Sequence, residues 1–132
     1  MSSTHRNTIQ ICRVYAPPPI KEGAWILIDR LWPRGLKKET LAFDLWLKDI
    51  TPSVALRQWF HGDIEKRWGE FIDCYIEELI NKSTLIEQIL EMTKDASVTL
   101  FYAAKDPKHN HARILQAVLH SWPIAPDKAL LL

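Results

Sequence analysis

The sequence predicts a single small α/β domain, a largely parallel sheet of about four strands with helices packed on it. Three observations carry this. Two short apolar runs, Trp25–Asp29 (WILID) and Val98–Ala104 (VTLFYAA), read as strands buried on both faces. Between them, Ile64, Trp68, Phe71, Ile72, Tyr75, Ile76 and Leu79 fall on one stripe at three- and four-residue steps, the period of an amphipathic helix. The order along the chain is strand, strand, strand, three helices, strand, helix, and helices that follow buried strands favour a parallel sheet.

Taken in order, the polar start Met1–Thr8 is expected to be disordered, residues 9–122 to form the domain, and residues 123–132 to be a proline-broken tail. Ile9–Tyr15 is β-branched and extended in pattern. Ala16–Gly23 carries three consecutive prolines and a glycine, a stiff surface turn. Arg30–Gly35 (RLWPRG) is a loop, since Pro33 biases Trp32 away from helix and Gly35 permits a positive φ. Lys37–Leu41 can make one helical turn. Phe43–Ile50 sets Phe43, Leu45 and Leu47 against Asp44, Trp46 and Lys48, the alternation of a strand. Thr51 as N-cap with Pro52 at the first helical position starts a helix through Val54–Phe60. Asp63 caps the long amphipathic helix, and Thr84 with Glu87 forms a capping box for Leu85–Lys94. Asp106-Pro107 repeats the cap-then-proline pattern for a last helix that reaches about Trp122.

Composition excludes several classes. With 47% hydrophobic and 25% charged residues the chain is an ordinary globular one, long enough to bury a core without disulfides or metals. A net charge of +1 provides no overall field toward nucleic acid or acidic lipid. Cys12 and Cys74 are too few for a disulfide framework and read as reduced thiols. No stretch approaches the roughly 20 apolar residues of a membrane span, and no apolar h-region follows Met1, so no membrane partner and a cytoplasmic location are expected. Six tryptophans are many for this length, and large aromatics fill cores or wall binding sites.

In parallel sheets, ligands sit beyond the carboxyl ends of the strands. Both apolar runs end abruptly in charge, at Asp29–Gly35 and at Lys105–Arg113, so parallel strands would bring these two loops to one edge as a single site. Arg30, Trp32 and Arg34 project to one side of an extended loop, and two guanidiniums flanking an indole can grip a phosphate or carboxylate. The bland alternative is that Asp29 accepts backbone hydrogen bonds and pairs with an arginine while Trp32 and Pro33 pack a corner. With Asp106 as cap, the last helix would lend its N-terminus to an anion beside Lys105. Lys48 and Tyr102, near the ends of their strands, can reach the same place. His111 shares a stripe with Ile114, Leu115, Val118 and Trp122 and should point to the sheet, while His109 faces the mouth. Residues two apart on a helix point about 200° apart, which argues against a metal shared by His109 and His111. Such metal binding becomes more plausible if the segment is a loop.

Several stretches together are similar to the YeaO-like proteins, a bacterial and archaeal family (domain of unknown function 488). They are Asp29–Gly35 (DRLWPRG), Trp46–Ser53 (WLKDITPS), Leu56–Phe60 (LRQWF), Tyr75–Leu79 (YIEEL) and Thr99–Ala112 (TLFYAAKDPKHNHA), spread over about residues 9–121. Thr51 stands where alanine is common in the family, and His61-Gly62 is reversed relative to the frequent Gly-His. The resemblance implies a small cytoplasmic α/β domain and singles out the same two loops. It brings no agreed activity, substrate or cofactor. Some members carry a transcription-regulator label, but no helix-turn-helix with a basic recognition helix occurs here.

Three functional readings follow. The first is a site for an anionic small molecule, an enzyme if Asp29 or His109 serves as acid or base, with Arg30, Arg34, Lys48 and Lys105 binding charge and Trp32, Tyr102 and His111 lining it. No P-loop, no G-x-G-x-x-G and no nucleophile with a partner in sequence are present, so neither cofactor nor reaction class is specified. The second is a nucleotide or single-stranded nucleic-acid module, from the arginines interleaved with tryptophan. The third is a metal protein using His109 and His111. A fold whose motifs serve only packing and protein contacts is the bland fourth, with Leu130–Leu132 packing on a neighbour.

Overall fold

Every residue of the Val98–Tyr102 run is buried, and this places it at the centre of the sheet. The computed structural model describes residues 8–132. Its strands are β1 (Ile9–Arg13), β2 (Ala24–Leu27), β3 (Leu45–Trp46) and β4 (Val98–Tyr102). They lie in the order β1-β4-β2-β3 and all pairings are parallel, with Ile11 and Ile26 both opposite Leu100. The helices are α1 (Val54–His61), α2 (Ile64–Ile80), α3 (Ser83–Met92) and α4 (His111–Ser121). The chain is thus an α/β domain with a four-strand parallel sheet and four helices, in the predicted element order. Of the expected disordered start, all but Thr8 lies outside the described residues; the Thr8 carbonyl accepts the Val98 N–H at 2.9 Å.

Strand alternation splits the core in two. Ile26, Ile28, Val98, Leu100 and Tyr102 face the helices, where Phe71, Ile72, Tyr75, Ile86, Ile89, Ile114 and Leu115 bury against them. Trp25, Leu27 and Phe101 face the other way, into a smaller core closed by Leu41, Trp32, Phe43 and Trp46. Among the described residues no helix packs into that second cluster; the irregular chain between β2 and β3 does. Entry into β2 depends on Gly23, at φ 67°, where a Cβ would collide with the Ser97 carbonyl that accepts the Ala24 N–H.

Four local expectations need correction. Only Leu45–Trp46 of the expected strand Phe43–Ile50 pairs, and Lys48–Ile50 is a 3₁₀ turn. Leu47 and Ile50 are both buried in the helix-side core, and a three-residue spacing suits a turn better than a two-residue strand repeat. Ser53 rather than Thr51 caps α1, its hydroxyl accepting the Leu56 N–H, while the Thr51 hydroxyl turns back to the Lys48 carbonyl. No capping box forms at Thr84: α3 begins at Ser83, its first turn bonded to the Lys82 carbonyl. The last helix starts at His111 with Asn110 as cap, four residues after the expected start at Asp106-Pro107. Asp106 instead closes a tight turn by accepting the N–H groups of Lys108 and His109.

The C-terminal segment crosses α2 and α4. Leu131 is buried in the domain's own core, and its carbonyl accepts the Trp68 indole N–H at 2.8 Å. Leu130 and Leu132 are exposed. No helix among the described residues is long and apolar enough to cross a membrane.

Candidate functional site

Parallel strands send all their C-terminal loops to one edge, and there the chain frames a cavity of about 450 Å³. Every strand contributes. Tyr15 follows β1, Asp29 to Arg34 follow β2, Thr51 and Pro52 follow β3, and Ala103 to Lys105 follow β4; Arg57 and His61 come from α1 and His111 from α4. A second cavity of about 410 Å³ at the opposite edge is lined by Gln10, Pro18, Trp25, Thr99 and neighbours, with Glu22 its one charged side chain.

Asp29 ties the two predicted loops together. Its carboxylate accepts the Ala103 N–H at 2.8 Å and lies 3.3 Å from His111 Nε2, while its carbonyl accepts the Trp46 indole N–H at 2.6 Å. His111 Nε2 is also 2.7 Å from the Ile28 carbonyl, so that nitrogen carries the proton. The imidazole is therefore fixed against the end of β2, as its place on the apolar stripe of α4 predicts. The hydroxyls on the cavity wall are committed too: Tyr15 donates to the Arg34 carbonyl at 2.8 Å and Thr51 to that of Lys48.

The cations are not committed. Arg30 reaches the Pro52 carbonyl with one Nη at 3.5 Å, and its Nε is buried without an acceptor. Arg34 is exposed and Arg57 half-buried. Among the described residues, the ion pairs are Lys21–Asp44, Lys94–Glu91, Lys128–Asp73, His109–Asp106 and His111–Asp29. None involves Arg30, Arg34, Arg57 or Lys105. Arg13 and Arg113 also donate to main-chain carbonyls, at 3.1 and 2.7 Å, and Arg67 to that of Trp59, each more closely than Arg30 to Pro52.

The cavity therefore gathers Asp29, Arg30, Trp32, Arg34, Lys105 and His111 from the residues that the sequence singled out. Three others lie elsewhere. His109 sits in the turn before α4, its Nδ1 2.8 Å from Asp106 and its ring edge-on to Trp68. Those hydrogen bonds, first the His109 N–H, hold the Asp106 carboxyl at about 2. Lys48 lies over the Trp46 ring at 4.0 Å. Tyr102 is buried in the helix-side core, and burial raises its phenol. Because α4 starts at His111, its N-terminus no longer includes Lys105 or His109. His109 and His111 take separate partners, and among the described residues no group of three or more His, Cys, Asp or Glu gathers to hold a metal.

Arg57 and His61 escaped the sequence reading. Their signal was present: four residues apart, they share one face of a helix that follows a strand end. Tyr15 closes the first extended run and carried a similar hint.

A parallel α/β domain whose four strand ends frame one cation-lined cavity is the class that fold and site define. The chain belongs to the YeaO-like DUF488 family: the family model described as "Inactive DUF488-N3 subclade" matches residues 8–128. It is 42% identical over 113 residues to the uncharacterized protein YeaO of Escherichia coli strain K12, covering 86% of this chain and 97% of that one. It is 34% identical over 112 residues to the uncharacterized proteins Mb3100c of Mycobacterium bovis and Rv3073c of Mycobacterium tuberculosis, covering 85% of this chain and 93% of theirs. No solved structure matches the chain.

Proposed function

We propose that the protein binds a small anionic ligand in the cavity beyond the sheet and does not turn it over. The observation that carries this reading is the gathering of Arg30, Arg34, Arg57 and Lys105, all without ion pairs, on one cavity. Like charges brought together repel, and an anion offsets that cost with charge-assisted hydrogen bonds. Binding without turnover is supported by the commitment of Asp29, His111 and the two wall hydroxyls, which leaves His61 as the remaining uncommitted histidine on the wall. Asp29 serves Ala103 and His111, both wall hydroxyls are donated to carbonyls, and His109 is outside. The word "Inactive" in the matching family's description agrees with it.

A nucleotide or short single strand is a second reading, favoured by Trp32, which lines the same cavity as the two arginines beside it. In that case affinity falls steeply as salt is added. Both readings are tested by thermal shift on wild type and Arg34→Ala with acetate, orthophosphate, mononucleotides and oligo-dT. A ligand at about 100 times its Kd stabilises the fold by roughly 2.7 kcal/mol. Arg34 is exposed, so its removal leaves the core intact and should erase the ligand-dependent shift. If no anion stabilises wild type, or the variant responds like wild type, the proposal fails.

A further inference from the structure

Resting on the anion-binding reading, we infer that the ligand carries a diphosphate, two linked phosphoryl groups met together by Arg30, Arg34, Arg57 and Lys105. Charge is the first argument. These four cations face one carboxylate, that of Asp29, which already accepts the Ala103 N–H and lies against His111. The surplus is three positive charges on one cavity. A monocarboxylate neutralises one of them, and a single phosphoryl ester about 1.5 to 2 at pH 7. Two linked phosphoryl groups carry about 3, roughly 1.5 to 2 on the terminal group and about 1 on the bridging one.

Donor geometry is the second argument. Three of the four cations are guanidiniums, whose planar forks pair with the oxygens of a tetrahedral phosphoryl group two at a time. Arg30 is the clearest case. Its Nε–H is buried with no acceptor among the described residues, a state that costs free energy. Its remaining contact, to the Pro52 carbonyl, is a long 3.5 Å and readily exchanged. Room is the third argument. At about 450 Å³ the cavity exceeds one phosphate, and Leu31, Trp32 and Pro52 supply an apolar wall on which an organic group can rest.

Isothermal titration of the full chain at low salt and pH 7.5 tests this with four probes: inorganic pyrophosphate, orthophosphate, citrate and a short alkyl diphosphate ester. Pyrophosphate should bind at least about tenfold more tightly than orthophosphate, one charge-assisted contact set being worth that factor. Citrate matches the charge without the phosphoryl geometry and should bind more weakly than pyrophosphate. Arg57→Gln and Lys105→Gln should each weaken pyrophosphate about tenfold and orthophosphate less. Lys105 is exposed, so its variant leaves the core undisturbed and keeps the test sound if Arg57→Gln folds poorly. If the ester binds more tightly than pyrophosphate the ligand is an organic diphosphate; equal affinity assigns the free ion. Citrate or orthophosphate binding as tightly as pyrophosphate overturns the diphosphate and leaves anion binding standing. No heat with any probe from folded protein overturns both.

Discussion

Removing the Asp29 carboxylate separates a structural clamp from a catalytic group. In Asp29→Ala the Ala103 N–H loses its acceptor at the sheet edge, and His111 keeps the Ile28 carbonyl but loses the adjacent negative charge. The Ala103 N–H is part-buried; an orphaned donor costs about 1 to 3 kcal/mol and the part-buried His111 contact adds a few tenths, so the variant should lose about 1 to 3 kcal/mol. Asp29→Asn keeps one acceptor for Ala103. Its amide group must then face the protonated His111 Nε2, donor against donor, so the loss should be about 1 to 2 kcal/mol. For a domain of this size 1 kcal/mol is about 4 °C, which places Asp29→Ala about 4 to 12 °C below wild type in Tm. Urea denaturation followed by tryptophan fluorescence at pH 7 measures all three proteins. The expected order is wild type, then Asn, then Ala. If Asp29→Ala is within about 0.5 kcal/mol of wild type, the carboxylate is not a clamp and is available for acid–base work.

Three further variants probe the frame around the site. The Asp106 carboxyl is lowered from 3.8 to about 2, so the stability it contributes is present above pH 3.8 and is lost as pH falls through about 2. Its side chain is 37% exposed, and solvent screening limits the contribution to about 1 kcal/mol or less. The stability difference between wild type and Asp106→Asn should therefore shrink between pH 4 and pH 2 in acid titrations by circular dichroism; a constant difference would refute the assignment. Gly23 and Gly35 both have positive φ, but a Cβ at Gly23 meets the Ser97 carbonyl whereas at Gly35 it meets nothing within 4 Å. Gly35→Ala should cost about 1 to 2 kcal/mol for the backbone alone, and Gly23→Ala clearly more, as chemical denaturation will read. Equal costs would mean that the turn before β2 yields.

Element type and order were legible because hydrophobic period carries them: the stripe from Ile64 to Leu79 is α2, and the two apolar runs are the central strands. The start of α2 was legible as well, Asp63 accepting the Lys66 N–H as its cap, but the other helix starts were not. Thr51, Thr84 and Asp106 all have capping chemistry, yet Ser53 is the residue that meets a free N–H, and Asn110 displaces Asp106 by four positions. A cap is decided by where tertiary packing begins the helix, and many side chains in a polar stretch are chemically able to cap. The site divides along similar lines. Of the two loops expected from strand direction, Asp29–Gly35 lines the cavity with Asp29 to Arg34, whereas of Lys105–Arg113 only Lys105 and His111 do, and Ala103 and Ala104, expected within the strand, join them. Arg57 and His61 reach the cavity from α1 rather than from a strand-end loop, and the 3₁₀ turn after β3 leaves Lys48 over Trp46 instead. His109 lies outside the cavity lining because its segment is a turn, whereas its direction was read from a helical phase.

The position of β4 sets a condition on how this domain can form. β1 and β2 do not touch each other; both pair with a strand that begins at residue 98, and β2 meets β3 over only two residue pairs. No local hairpin can nucleate such a sheet, and the loop entropy of long-range pairing precedes any gain from it. During synthesis the first half of the chain therefore carries apolar strand edges with no partner until the last strand emerges. Folding should be slow for a chain of this length, and interruption before β4 leaves a fragment prone to aggregate rather than a smaller working domain.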